Sequence, residues 1–227
     1  MSPLLLGHRG ARATQTIPEN TMESFDLALS HGCDGFEFDV RKTADGHAVI
    51  CHDPAIHGIE IHSAHSEELT DIATLDQVLG RYTDSAFLDI ELKVSGLEES
   101  VISALRDHPP RRGFLISSFL PEVLDALATL DPPLPLGLLC EDQSQLITWK
   151  MSPVRFVLPH YTLIDNDLCK QVHAAGKEIF AWTVNNPKTM RQLSRSKIDG
   201  IISDDTQALV ATLRDSTPKA GRLPPAT

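Results

Sequence analysis

A closed (β/α)8 (TIM) barrel in a single domain is the fold this chain predicts, and three observations carry the prediction. Short apolar runs alternate with segments of helical period along most of the chain. Eight such runs can be counted, one for each strand of a barrel. The length, 227 residues, lies near the lower limit for that fold. An open doubly wound sheet fits the alternation alone equally well.

In chain order the strand candidates are residues 4–8, 35–40, 86–93, 114–119, 136–140, 156–160, 178–184 and 200–203. The helix candidates lie between them. Residues 21–31 place Met22, Phe25 and Leu29 on one face. Residues 97–106 do so with Val101, Ile102 and Leu105, and 122–130 with Val123, Leu124 and Leu127. Segments 165–175, 188–194 and 207–214 complete the set. Asn20 reads as the N-cap of the first helix, with Glu23 at the capping-box position, which leaves Glu19 without a structural role and free to face the mouth. Two regions depart from the alternation. Residues 47–53 form an extra extended piece. Residues 54–71, with His57, His62 and His65 as solvated side chains, read as a small loop or cap insertion after the second strand. The domain is expected to span 1–215. The tail 216–227, with Pro218, Pro224 and Pro225, is expected to be disordered.

Lys and Arg number 20 against 31 Asp and Glu, for a formal net charge of −11. A chain this acidic argues against a nucleic-acid partner, so any phosphate it handles must be met by a local cation cluster or a metal. No apolar run is long enough to span a membrane, and the N-terminus lacks the cationic start of a secretion signal, so stable membrane insertion is not expected and a cytoplasmic location is. Cys33, Cys51, Cys140 and Cys169 match no zinc-ligand spacing and read as free thiols.

The second strand runs Gly35-Phe36-Glu37-Phe38-Asp39-Val40. Side chains alternate across a strand, so Glu37 and Asp39 share one face and the apolar residues the other. In a barrel the acids point inward near the C-terminal mouth, where barrel active sites lie. The third strand places Asp89, Glu91 and Lys93 on one face, and Glu91 can join Glu37 and Asp39. Three carboxylates without a thiolate make a hard oxygen site for one divalent cation, Mg2+ or Ca2+. The competing reading has Lys93 merely neutralising the acids. His8 and Arg9 end the first strand and His52 ends the extra piece. A histidine pair can divide acid and base roles, while Arg9 and Lys93 supply charge for an anionic group.

These residues stand in an ordered series: His8-Arg9-Gly10, Pro18-Glu19-Asn20-Thr21 with Phe25, Gly35-x-Glu37-x-Asp39-Val40, Thr43-x-Asp45-Gly46, His52-Asp53 and Ile90-Glu91-x-Lys93. Ser117-Ser118-Phe119, Trp182-Thr183-Val184-Asn185 and Asp199-Gly200-Ile201-Ile202-Ser203-Asp204 follow. The series resembles the glycerophosphodiester phosphodiesterase family from residue 8 to about 204. The resemblance implies a (β/α)8 barrel that hydrolyses glycerol phosphodiesters to an alcohol and glycerol 3-phosphate. It implies a divalent metal on Glu37, Asp39 and Glu91, acid–base work by His8 and His52, phosphate contacts from Arg9 and Lys93, and Trp182 lining the glycerol or head-group pocket. The cap here is reduced, and the stretch before Pro18 is slightly longer than is usual in the family. Three alternatives remain open: a related phosphodiesterase acting on lysophospholipids, a non-catalytic phosphodiester binder on the same barrel, and a barrel that stabilises an enolate with Mg2+.

Overall fold

The computed structural model describes residues 2–214; the tail expected over 216–227 lies outside them. Eight parallel strands ring the barrel in chain order: β1 (Leu4–His8), β2 (Gly35–Lys42), β3 (Phe87–Leu92), β4 (Phe114–Ser118), β5 (Leu136–Cys140), β6 (Phe156–Pro159), β7 (Glu178–Ala181) and β8 (Gly200–Ser203). The ring closes because β1 pairs with β8 on one side, Leu6 opposite Ile202, and with β2 on the other, His8 opposite Glu37. Closure excludes the open doubly wound sheet. The strand register sets Asp39 beside Glu91 and Glu37 beside Asp89, which gathers the acids of β2 and β3 into one patch.

The outer ring is α1 (Met22–Ser30), α2 (Leu75–Tyr82), α3 (Glu98–Asp107), α4 (Pro121–Leu130), α5 (Gln143–Leu146), α6 (Asn166–Ala174), α7 (Pro187–Arg195) and α8 (Thr206–Leu213). None is long and apolar enough to cross a membrane. The outward faces of the strands meet the helices, as strand alternation requires: Phe36 and Phe38 are fully buried, and the Phe25 ring of α1 stacks on Phe36 at 4.2 Å. The inward faces fill the lower barrel with Leu6, Leu115, Leu139, Phe156, Leu158 and Phe180. Large rings sit opposite residues without a side chain. A Cβ on Gly200 would lie 2.4 Å from the Phe180 ring, so the ring takes the volume that any other residue there would need.

Three sequence expectations shift. Asn20 is not the N-cap of α1. Thr21 is, its hydroxyl accepting the Ser24 N–H, because Asn20 turns to a left-handed conformation (φ 58°) and sends its side chain into the barrel. Segments 114–119, 156–160 and 178–184 pair over fewer residues than their apolar runs, because the chain leaves the ladder to form the mouth. Finally, the excursion after β2 is ordered. Ala48–Ile50 pairs antiparallel with β2, and Ala55–Ile56 forms a hairpin with Ile59–Glu60. His57 and Gly58, both at positive φ, make the two-residue turn that suits a hairpin's twist. Asp45 holds the excursion down by accepting from the Ser66 N–H and hydroxyl and from the Thr43 hydroxyl. These bonds hold the Asp45 carboxyl below its ordinary range.

Candidate active site

The site begins where β1 ends. Arg9 adopts a left-handed backbone (φ 51°), unfavourable for a residue with a side chain and held only by its surroundings. Its N–H donates to Glu37 Oε2 at 2.9 Å. Its carbonyl accepts from the Asn20 N–H at 3.1 Å and the Ser24 hydroxyl at 3.0 Å. Gly10 follows because it packs on Ser24, where a Cβ would lie 2.4 Å from the hydroxyl oxygen. The His-Arg-Gly turn and the Asn20 turn therefore brace one another directly over the acids of β2.

Glu37, Asp39 and Glu91 are 4%, 0% and 7% exposed, and each offers an oxygen within 4.8 Å of the others. Asp39 is the fixed member. Its Oδ2 accepts from Asn20 Nδ2 at 2.8 Å and lies 3.0 Å from Arg9 Nε, while its Oδ1 lies 3.4 Å from Lys93 Nζ. Lys93 Nζ also donates to Glu91 Oε1 at 2.6 Å. Burial works against the Asp39 charge, yet Arg9, Lys93 and Asn20 outweigh it and hold the carboxyl below its ordinary range. Glu37 goes the other way, raised well above its ordinary value by burial and by Asp39, Glu91 and Asp89. Glu91 is raised to about 7, mainly by burial and by Asp39, with Lys93 opposing. One layer down, Asp89 is fully buried, accepts the Ser117 hydroxyl at 2.6 Å, and is pushed up to about 8, chiefly by burial.

Lys93 pairs with Asp39 and Glu91, and the ion pairs of the described residues include none between Lys93 and Glu37. Glu37 Oε1 and Asp39 Oδ1 are buried and accept no hydrogen bond. Oxygens in that state are costly unless a cation meets them. Among the described residues these three acids are the one group of metal-ligating side chains close enough to share an ion, and an all-oxygen donor set suits Mg2+ or Ca2+. The residues present fit the ion that the sequence implies.

His8 and His52 occupy different settings. His8 Nδ1 lies 2.7 Å from Asp204 Oδ1, and its Nε2 lies 3.8 Å from Glu37 Oε2. A carboxylate at Nδ1 holds the hydrogen there and leaves Nε2 to work. Asp204 is itself held by Arg12 and by Asn185, whose Nδ2 donates at 2.6 Å. Although burial opposes its charge, the bond from His8 and these neighbours bring Asp204 down to about 2. His52 is more open, its side chain 34% exposed, with Nδ1 2.7 Å from Asp53 Oδ1 and its carbonyl accepting from Arg41.

Across the mouth stands an aromatic wall. Trp182 is half-buried, anchored by its Nε1–H donating to the Leu158 carbonyl at 2.7 Å, and meets Phe119 edge-to-face at 5.4 Å. Lys93 Nζ lies 5.7 Å from the Phe119 ring centre. Wall and charged group enclose a cavity of about 260 Å3. Seven of the eight residues singled out from sequence border it, and Asp39 stands behind them as a braced acid. Sequence reasoning missed Asn20, Asp204 and the Ser117–Asp89 pair. Glu19 does face inward, but against Arg9 at 2.7 Å and Arg12.

The chain matches the model of the glycerophosphoryl diester phosphodiesterase family over residues 8–84 and 89–208. A glycerophosphodiester phosphodiesterase of Caldanaerobacter subterraneus is 30% identical, with 94% of this chain and 99% of that protein covered. The structure is similar to that of a glycerophosphodiester phosphodiesterase from Thermotoga maritima (TM-score 0.79, 27% identity, 92% and 98% covered). It is also similar to that of an Oleispira antarctica phosphodiesterase in complex with the product sn-glycerol-3-phosphate (TM-score 0.82, 25% identity, 95% and 98% covered).

Proposed function

The chain belongs to the glycerophosphoryl diester phosphodiesterase family and is an enzyme of that class, and from this premise we propose that it cleaves glycerophosphodiesters at the C-terminal mouth of the barrel. The products are an alcohol and glycerol 3-phosphate. The observation that carries the reading is the coincidence, at one small cavity, of three buried acids, two of them with an oxygen that accepts no hydrogen bond, a lysine, an arginine and a carboxylate-held histidine.

Glu37, Asp39 and Glu91 would hold one divalent cation, Mg2+ or Ca2+. When bound, such an ion supplies positive charge against the phosphoryl oxygens. Lys93, with Nζ at the cavity wall, faces the same oxygens and offsets the charge that builds on them in the transition state. Arg9 serves twice: its guanidinium braces Asp39 and Glu19, and its remaining N–H groups face the phosphate. His8 exchanges a proton at Nε2 because Asp204 fixes the hydrogen on Nδ1. His52 is the partner in proton transfer. One histidine takes the proton from the attacking oxygen, whether the glycerol 2-hydroxyl or water, and the other delivers a proton to the leaving alcohol. Trp182 and Phe119 exclude water from the apolar side and present a flat wall to the glycerol carbons. In this reading Asp204 acts through His8 and is a positioning residue.

A product assay over a panel of glycerophosphodiesters, with and without chelator, tests the reading. Release of glycerol 3-phosphate, lost in chelator and restored by Mg2+ or Ca2+, is expected. Full activity in excess chelator would remove the metal from the account. Intact diester after long incubation with the metal present would contradict the reaction for those substrates.

A further inference from the structure

The loop that leaves β7 carries Trp182 on the aromatic wall and, three residues on, Asn185. Asn185 is exposed and does not border the catalytic cavity, yet both ends of its amide are engaged. Its Oδ1 accepts from the Asp204 N–H at 2.9 Å and from the Ser203 hydroxyl at 3.1 Å. Its Nδ2 donates to Asp204 Oδ2 at 2.6 Å. The partners settle which end is which, because an N–H meets the oxygen and a carboxylate meets the NH2. One amide thus grips Asp204 by backbone and side chain together. The second carboxylate oxygen, Asp204 Oδ1, is left for His8 Nδ1 at 2.7 Å and for Arg12 Nη1 at 3.3 Å.

The structure assigns Asn185 as a positioning residue of the His8–Asp204 pair: it fixes which oxygen of Asp204 faces the imidazole and holds that oxygen there. The inference rests on the proton-transfer role given to His8 above, and it adds a residue that acts through Asp204 without touching substrate. A carboxylate free to turn about its side-chain bonds presents either oxygen at a shifting distance. One tied at Oδ2 and at its own N–H does not. An amide suits this place because it carries an acceptor and a donor on one planar group. The Val184 N–H donates to the Ile202 carbonyl at 2.9 Å, so the ends of β7 and β8 are already joined just before the grip. The Asn185 amide is therefore spare as a brace for the fold. Its bonds are open to water, and their loss is expected to move the melting temperature little.

The test exchanges the two side chains. Asn185→Asp keeps the oxygen that accepts from Ser203 and the Asp204 N–H, and sets a carboxylate against Asp204 Oδ2 in place of the donor. It is expected to lower kcat by about 10-fold with KM and melting temperature nearly unchanged. Asp204→Asn cannot serve both sides. With its oxygen toward His8 its NH2 meets the NH2 of Asn185, and turned over it loses the acceptor for His8. The double variant Asn185→Asp/Asp204→Asn restores a donor and an acceptor between the two positions and keeps an oxygen toward His8. It is expected to exceed Asp204→Asn in kcat by about 3- to 10-fold. An unchanged kcat in Asn185→Asp, or a double variant no faster than Asp204→Asn, overturns the assignment. The NMR signal of the His8 Nδ1–H, read without substrate, does not depend on turnover. It is expected in the unaltered protein, lost to water exchange in Asn185→Asp and recovered in the double variant. A signal that survives in Asn185→Asp also overturns the assignment. Failure of the unaltered protein to cleave diester counts against the phosphodiesterase reading, and the proton signal still decides the place of Asn185.

Discussion

Inward faces of the same eight strands line both ends of the barrel interior, yet the two ends solve opposite problems. At the N-terminal end Leu6, Phe156, Leu158 and Phe180 interdigitate as a dry plug. Toward the mouth the same faces carry His8, Glu37, Asp39, Glu91 and Lys93, and unpaired acid oxygens remain. Arg9 and Asn20 are held there at positive φ. The lower end stores stability, and the upper end spends some of it on a prearranged charge cluster. Substitutions should therefore separate cleanly, inactivating at the top and unfolding at the bottom.

The largest expected effect is on catalysis. His8→Ala should lower kcat by about 10²- to 10⁴-fold while the melting transition stays cooperative, as steady-state kinetics and thermal unfolding together will show. An alanine enzyme with near wild-type kcat on a poor leaving group would take His8 out of the mechanism. Next is the plug: Phe180→Ala should cost about 3–5 kcal/mol of stability, measured by denaturant unfolding, while the surviving folded fraction keeps its KM. Smaller is the positioning effect of Asp204→Asn. It should reduce kcat more than KM, by about 10- to 100-fold, because the amide no longer fixes the His8 hydrogen. An equal loss in Ser203→Ala, which leaves the His8 contact intact, would point to mere structural damage. For Lys93→Met, expected to lower kcat by about 10²- to 10³-fold, the comparison of kcat with KM matters more than the size. Both kcat and kcat/KM should fall together if Lys93 meets the transition state rather than the ground state.

How legible each end was in the sequence follows from the periodicity that encodes it. Period-two alternation in β2 and β3 placed Glu37, Asp39, Glu91 and Lys93 on the inner face, and the structure has them there. The same alternation, carried one step past β8, would have turned Asp204 inward with Ile202; the apolar run stops at Ser203, so the signal ended too soon. Asn20 was hidden for a different reason. A residue that can cap a helix satisfies local rules by itself, and nothing local says that a left-handed backbone carries its amide 19 residues away to Asp39. α5 was hidden because it has only four residues, whereas α2 begins at Leu75 with Leu75, Val78, Leu79 and Tyr82 buried on one face. The hairpin after β2 was signalled only by His57-Gly58, two residues between apolar pairs.

pH sharpens the comparison because the plug does not titrate. Glu37, Glu91 and Asp89 have raised pKa values in the folded protein, the last two to about 7 and about 8. Such acids contribute stability that is fully present below their unfolded values and lost as pH rises through the folded ones. Asp39 and Asp204 are lowered, so their contribution is present above the ordinary aspartate range and lost only as pH falls through it. The metal-free protein should therefore lose stability between about pH 4.5 and pH 8 through the mouth alone. Glu37→Gln should flatten that loss.

The central claim is that the acids at the mouth are held in place for a cation. The most direct test is the melting temperature of the metal-free protein at pH 5 and pH 8, with and without Mg2+ or Ca2+. The account predicts a lower melting temperature at pH 8 than at pH 5 without the ion, a rise on adding it at pH 8, and a much smaller rise at pH 5, where protonated Glu37 and Glu91 compete with it. An equal melting temperature with and without either ion at pH 8 would contradict it.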